Sequence, residues 1–126
     1  MYQVRADAKK NRLYITIGEM MEDAEMEGLV NEIEHEIQKL EKGFDCITDL
    51  QGYELRSASA EDFIFRAQKI LADAGMSHVV RVIKRFGSIA HFQFDNISVS
   101  VGYHAQNASS LEEAEKILDS RKNPQS

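Results

Sequence analysis

The chain has one cysteine, one proline, no tryptophan and no long apolar run, and each scarcity closes off a class of protein. A lone thiol, Cys46, cannot form an intrachain disulfide, so the fold must stand without such staples, and a reducing cytoplasm is its expected home. Cys46 lies inside the apolar stretch FDCITDL with no His or Lys beside it, which predicts a buried, inert thiol rather than a nucleophile. No stretch approaches the roughly 18 apolar residues that read as a membrane span. The opening MYQVRADAKKNR has no apolar core between its charges, so neither a transmembrane helix nor a signal peptide is expected.

Basic charge is also in deficit. Fifteen basic against twenty-one acidic residues leave a formal charge of −6, and Glu19, Glu22, Asp23, Glu25, Glu27, Glu32, Glu34, Glu36 and Glu41 crowd one segment. Such a surface repels phosphate backbones, which excludes a nucleic-acid reader and leaves a protein partner open. Chemical motifs are equally scarce. The histidines, His35, His78, His91 and His104, show none of the spacings that put two metal ligands on one face. No glycine-rich phosphate loop and no GxSxG elbow is present. Asp45 and Asp49 do not make an acid–base pair, because Asp45 is expected at the solvated start of its strand. No catalytic residue, no metal site and no cofactor is assigned, and the chain is read as a non-enzyme.

What remains is a clear pattern of elements. With 126 residues, 43% of them hydrophobic, the chain suits one domain over 1–120 followed by a polar tail over 121–126. Tyr2, Val4 and Ala6, then Leu13, Ile15 and Ile17, alternate with polar residues and predict a hairpin. Apolar residues from Met26 to Leu40 recur at three and four, which predicts a long amphipathic helix over 20–42 ended by Gly43. FDCITDL predicts a strand buried on both faces. A second helix is expected over 60–74, with Phe63, Ala67, Ile70, Leu71 and Ala74 inward and Phe65 outward. HVVRVI predicts another strand, HAQNA an extended piece, and SSLEEAEKIL a final helix with Ser110 and Glu113 placed for a capping box. Between them, GSIAHFQFDNISVSVGY fits strand and helix periods alike. Strands alternating with helices make the chain an α/β protein: a mixed, mostly parallel sheet of about five strands with helices packed against it.

One constellation carries functional interest. Asp49 closes the central strand at its C-terminal end, where open α/β sheets expose their functional groups. Gln51 and Gly52 follow in a tight turn, and Ser57 and Ser59 arrive at the start of the second helix. A helix wants a serine cap there, and a phosphate on Ser59 is also stabilised at such a helix start.

The stretches CITDLQGYELRSASAEDF, VVRVI and GYHAQNASSLEEAEKIL resemble the STAS domain family: the anti-sigma-factor antagonists of bacteria, the related domains of sulfate transporters, and small STAS-like proteins compared with CRAL-TRIO lipid-transfer domains. Asp49-Leu50-Gln51-Gly52 matches the antagonists' Asp-Leu-Ser-Gly except at Gln51, and Ser59 falls on their phosphorylated position. The resemblance implies no catalysis and regulation through protein contacts. It also implies a helix over 88–101, which places Phe92 and Val99 off the main stripe, with Phe65, in an exposed apolar patch suited to a homodimer, a membrane surface or a lipid. The first expectation is therefore a regulatory domain whose 51–59 loop faces a protein partner. The alternative is a carrier holding a small apolar ligand against Phe65, Phe92, Phe94 and Val99, which needs a cavity of roughly 300 Å³ or more.

Overall fold

A computed structural model describes residues 1–18, 22–52, 59–83 and 105–122, without the side chains of Ser59, Ala60, Glu61 and Lys122. The expected helix over 88–101, with Phe92, Phe94 and Val99, lies outside the described residues, as does Ser57.

Alternation of apolar and polar residues sets the first hairpin. Strand β1 (Tyr2–Asp7) pairs antiparallel with β2 (Arg12–Ile17), in the register Tyr2 to Ile17 and Ala6 to Leu13. Asn11 takes a left-handed φ of 53° in the connection, a conformation Asn tolerates better than most residues. From β2 onward the pairing is parallel: β2 with β3 (Asp45–Asp49), β3 with β4 (His78–Val82), and β4 with β5 (Ala105–Ala108). The strands therefore lie in chain order across a five-stranded sheet. Because each parallel step moves the same way, right-handed crossovers put helices α1 (Asp23–Glu36) and α2 (Ser59–Asp73) on one face. Helix α3 (Leu111–Lys122), which follows β5, covers the other.

The two faces divide the strand residues with period two. Leu13, Ile15, Ile17, Cys46 and Val79 meet Met26, Leu29, Ile33, Ile64 and Leu71 in the larger core. Ile47, Val80 and Val82 meet Ala114 and Leu118 in the smaller one. A central strand with a helix on each side must be apolar on both, which is why FDCITDL shows no alternation.

Helix α1 ends earlier than its apolar period suggests. The helix stops at Glu36, tightens into a 3-10 turn over Ile37–Lys39, and Leu40 turns extended. Glu36 and Lys39 explain the tightening. Their side chains pair at 2.6 Å, and a 3-10 turn stacks residues three apart. The buried Glu36 carboxylate also accepts the backbone N–H of Ala6, on the free side of edge strand β1. Gly43 is thus not the residue that ends α1. It sits in a separate turn with φ +93°, its N–H donated to the carbonyl of Gly75. Within α1, Gly28 admits the Tyr2 hydroxyl so closely that an added Cβ would stand 2.5 Å from its oxygen.

Helix α2 is also turned from expectation. Ile64, Gln68 and Leu71 are buried along its centre, with Phe63, Ala67, Ile70 and Ala74 beside them. Gln68, a polar residue inside the stripe, disguises that centre in the sequence. Phe65 does face outward, 42% exposed. At α3 the Ser110 hydroxyl accepts the Glu113 N–H at 3.1 Å, while the Glu113 carboxylate reaches back to the Ser109 hydroxyl at 2.8 Å. That is a capping box displaced by one residue on its return arm.

Candidate functional site

Three rungs of side chains cross β1, β2 and β3 on the α3 face: Gln3–Thr16–Asp49, Arg5–Tyr14–Ile47 and Asp7–Arg12–Asp45. Helix α3 crosses this part of the sheet incompletely. Over the first two rungs it leaves a groove of about 180 Å³, floored by Tyr14, Thr16 and Ile47, edged by Gln3, Arg5 and Asp49, and walled by Leu111. Leu111 is 46% exposed at the start of α3.

The groove has polar groups to spare. The Arg5 guanidinium lies 4.2 Å from the centre of the Tyr14 ring and makes no hydrogen bond or ion pair among the described residues. Asp49 accepts the N–H of Gln51 at 3.0 Å and its side-chain amide at 3.2 Å, both on Oδ1, and Oδ2 has no hydrogen bond among the described residues. Tyr14 is held from beneath, its hydroxyl 2.9 Å and 3.0 Å from the two Glu115 oxygens.

The third rung, at the opposite end of the parallel strands, is closed over Arg12, whose two terminal nitrogens are ion-paired. Arg12 has no solvent exposure. It pairs with Glu115 at 2.6 Å, Asp119 at 3.1 Å and Asp45 at 3.5 Å. Asp45 is therefore buried and ion-paired rather than solvated, because the strand start lies under α3. Burial works against the Arg12 charge, but hydrogen bonds to Glu115, Asp119 and Tyr14 outweigh it and raise its pKa. Burial likewise opposes the Glu115 carboxylate, yet hydrogen bonds from Arg12, Tyr14 and Lys10 hold it below the usual carboxylate range. For Tyr14, burial and then the Glu115 carboxylate push the phenol upward.

Ser77, His78 and Asp45 lie together beside this rung without the geometry of a catalytic triad. The Ser77 hydroxyl, at 2.7 Å, and an Asp45 oxygen, at 3.9 Å, both approach His78 Nδ1, while Arg121 donates to Nε2. An acceptor at Nε2 puts the neutral ring's proton on Nδ1. A triad needs serine and carboxylate on different ring nitrogens.

On the α1–α2 face, Thr48, Gln68 and Arg81 are buried beside an apolar cavity of about 30 Å³ that Phe63 and Met26 help to line. That volume is far below the roughly 300 Å³ of a small-molecule pocket. Cys46 is buried on this face, where burial pushes its thiol up to about 12. No group of three or more metal-ligating side chains occurs among the described residues, and no helix among them is long and apolar enough to cross a membrane.

Of the residues singled out in the sequence, Asp49, Gln51 and Gly52 stand together where β3 ends in an exposed turn. Ser59 opens α2. Phe65 lies on the outer side of the same helix and lines neither cavity. Gln3, Arg5 and Thr16 were not singled out. They occupy the polar positions of a hairpin, which read as plain solvent-facing residues until the register sets them beside Asp49. No protein-family model and no curated protein matches the chain.

Proposed function

We propose that the chain is a non-enzymatic regulatory domain of STAS-like type, working in the cytoplasm through contacts with a protein partner. The contact surface is the C-terminal end of the parallel strands, from Asp49 through the turn at Gln51 and Gly52 to the start of α2 at Ser59. One observation carries this reading. Asp49 and Arg5 flank an open groove with hydrogen-bonding capacity unspent, whereas the arginine at the other end is spent on three carboxylates of the same chain. A rigid sheet edge with unspent polar groups suits recognition. In support, Asp49-Leu50-Gln51-Gly52, one of the stretches that carry the resemblance, stands where β3 ends.

Ser59 is the proposed switch, since added negative charge at a helix start alters the docking surface without unfolding it. The test is quantitative co-purification from the native cell with wild type, Ser59→Ala and Ser59→Asp, alongside intact mass of the wild-type chain. A partner kept by Ser59→Ala and lost by Ser59→Asp, with a phosphate-sized mass increment absent from Ser59→Ala, is the expected result. Identical partner sets for all three forms would overturn the reading.

A further inference from the structure

We propose that the groove between β1 and α3 receives an extended segment of the protein partner carrying an acidic and a basic side chain two residues apart, the carboxylate meeting Arg5 and the cation meeting Asp49. The proposal rests on the partner-contact reading and adds the chemistry of what is bound. At the other end of this sheet face the cation is consumed internally: Arg12 is shared among three carboxylates. In the groove it is not. Gln3, Arg5 and Thr16 make no side-chain hydrogen bond among the described residues, and Asp49 spends only one oxygen.

The two charges are also held in place. The Arg5 guanidinium carbon lies 4.2 Å from the centre of the Tyr14 ring, and that ring is fixed by Glu115 through its hydroxyl. With no hydrogen bond among the described residues, the guanidinium keeps its N–H groups for a carboxylate, which it can grip through two parallel bonds. Asp49 is anchored by Gln51 through Oδ1, so among the described residues Oδ2 is left to accept. It stands one strand beyond Tyr14 and one rung along. Strand spacings of about 4.8 Å, with about 6.7 Å between residues two apart, put the charges about 8 Å from each other.

An extended peptide presents same-face side chains about 6.7 Å apart, so a Glu-x-Lys pair spans that distance. Its alkyl stems then lie against the exposed Leu111, as long charged side chains do on apolar surface. The charge order of the groove selects the occupant. A wholly acidic segment meets Asp49, and a wholly basic one meets Arg5. A volume of about 180 Å³ is small for an enclosed ligand and suits side chains entering from a docked segment.

The test is an NMR titration of the full ¹⁵N-labelled chain with the peptide Ac-Ser-Glu-Val-Lys-Ser-NH2, using Ac-Ser-Gln-Val-Gln-Ser-NH2 as control. Expected are shift changes at Arg5, Thr16, Asp49 and Leu111 with the charged peptide alone. Affinity should fall by about tenfold in Arg5→Gln and again in Asp49→Asn, as for loss of a charge-assisted bond. It should fall further with added salt. Arg5→Lys, which keeps the charge and loses the fork, is expected in between. No shift at these residues up to about 10 mM peptide, or equal binding by the control peptide or by both variants, would sink the proposal. It separates cleanly from the parent reading. If Ser59→Asp releases the native partner while Arg5→Gln and Asp49→Asn retain it, the groove assignment falls and the regulatory reading stands. If the peptide binds as described while the Ser59 variants release nothing, the serine-switched reading falls and the groove remains.

Discussion

Arg12 takes a full positive charge out of solvent, and its three carboxylate partners, Asp45, Glu115 and Asp119, come from the sheet and from α3. Removing the cation takes from three carboxylates the one arginine they share, so Arg12→Met is expected to cost about 3–5 kcal/mol in urea unfolding. Glu115→Gln should cost less, about 1–3 kcal/mol, since Arg12 keeps two other partners. Its penalty depends on pH with a definite sign. The folded-state pKa of Glu115 is lowered, so its contribution is complete above the ordinary unfolded value and is lost as pH falls through the lower one. Wild type and Glu115→Gln should therefore converge in acid, which unfolding curves at neutral and acidic pH will show. Cys46, buried and with its thiol pushed up to about 12, should react with thiol reagents only at the rate of unfolding. Its burial was legible in the sequence, because an apolar run with no basic neighbour is a reliable sign of burial. Arg12 was not legible. An arginine just after Lys9, Lys10 and Asn11 reads as turn charge, and only the arrival of α3 over the strand start makes it interior.

At the scale of elements, capping and close approach decide stability. Ser110→Ala should cost about 1 kcal/mol by removing the hydroxyl that takes the Glu113 N–H. Gly28 makes a sharper test. Alanine in a helix interior ordinarily gains up to about 1 kcal/mol over glycine, but here a Cβ meets the Tyr2 hydroxyl. Gly28→Ala alone is thus expected to be neutral or destabilising. In the Tyr2→Phe background it should stabilise, and a thermal double-mutant cycle measures the difference. Element types and order were readable from periodicity because each strand or helix buries one clear set of apolar residues. Two boundaries were not. The apolar spacing of α1 continues through Ile37 and Leu40 although the backbone has already tightened. In α2 the buried Gln68 hides the true centre of the stripe. In both cases a polar side chain, Glu36 or Gln68, does inside the protein what hydropathy assigns to the surface.

For the molecule as a whole, strands laid down in chain order put the acidic helix α1 and helix α2 on one face and leave α3 to cover the other. The α/β architecture follows from the sequence, whereas the groove depends on register. Only pairing Gln3 with Thr16 and Thr16 with Asp49 sets a hairpin's outward residues beside a strand end from the middle of the chain. The same order leaves β1 at the edge of the sheet. An open edge is a template for another chain, and proteins blunt such edges with charge. Here the blunting carboxylate is Glu36, which occupies the Ala6 N–H. The hydrogen bond from Lys39 outweighs burial and keeps the Glu36 pKa below the usual carboxylate range, so this charged contact weakens only as pH falls through that lowered value. Glu36 thus places a charge on one outward donor of that edge. Glu36→Ala at neutral pH, or acidification of the wild type, should unmask a strand that recruits its own copies, and light scattering against protein concentration would register that growth as fibrils or large assemblies while the fold of each subunit persists.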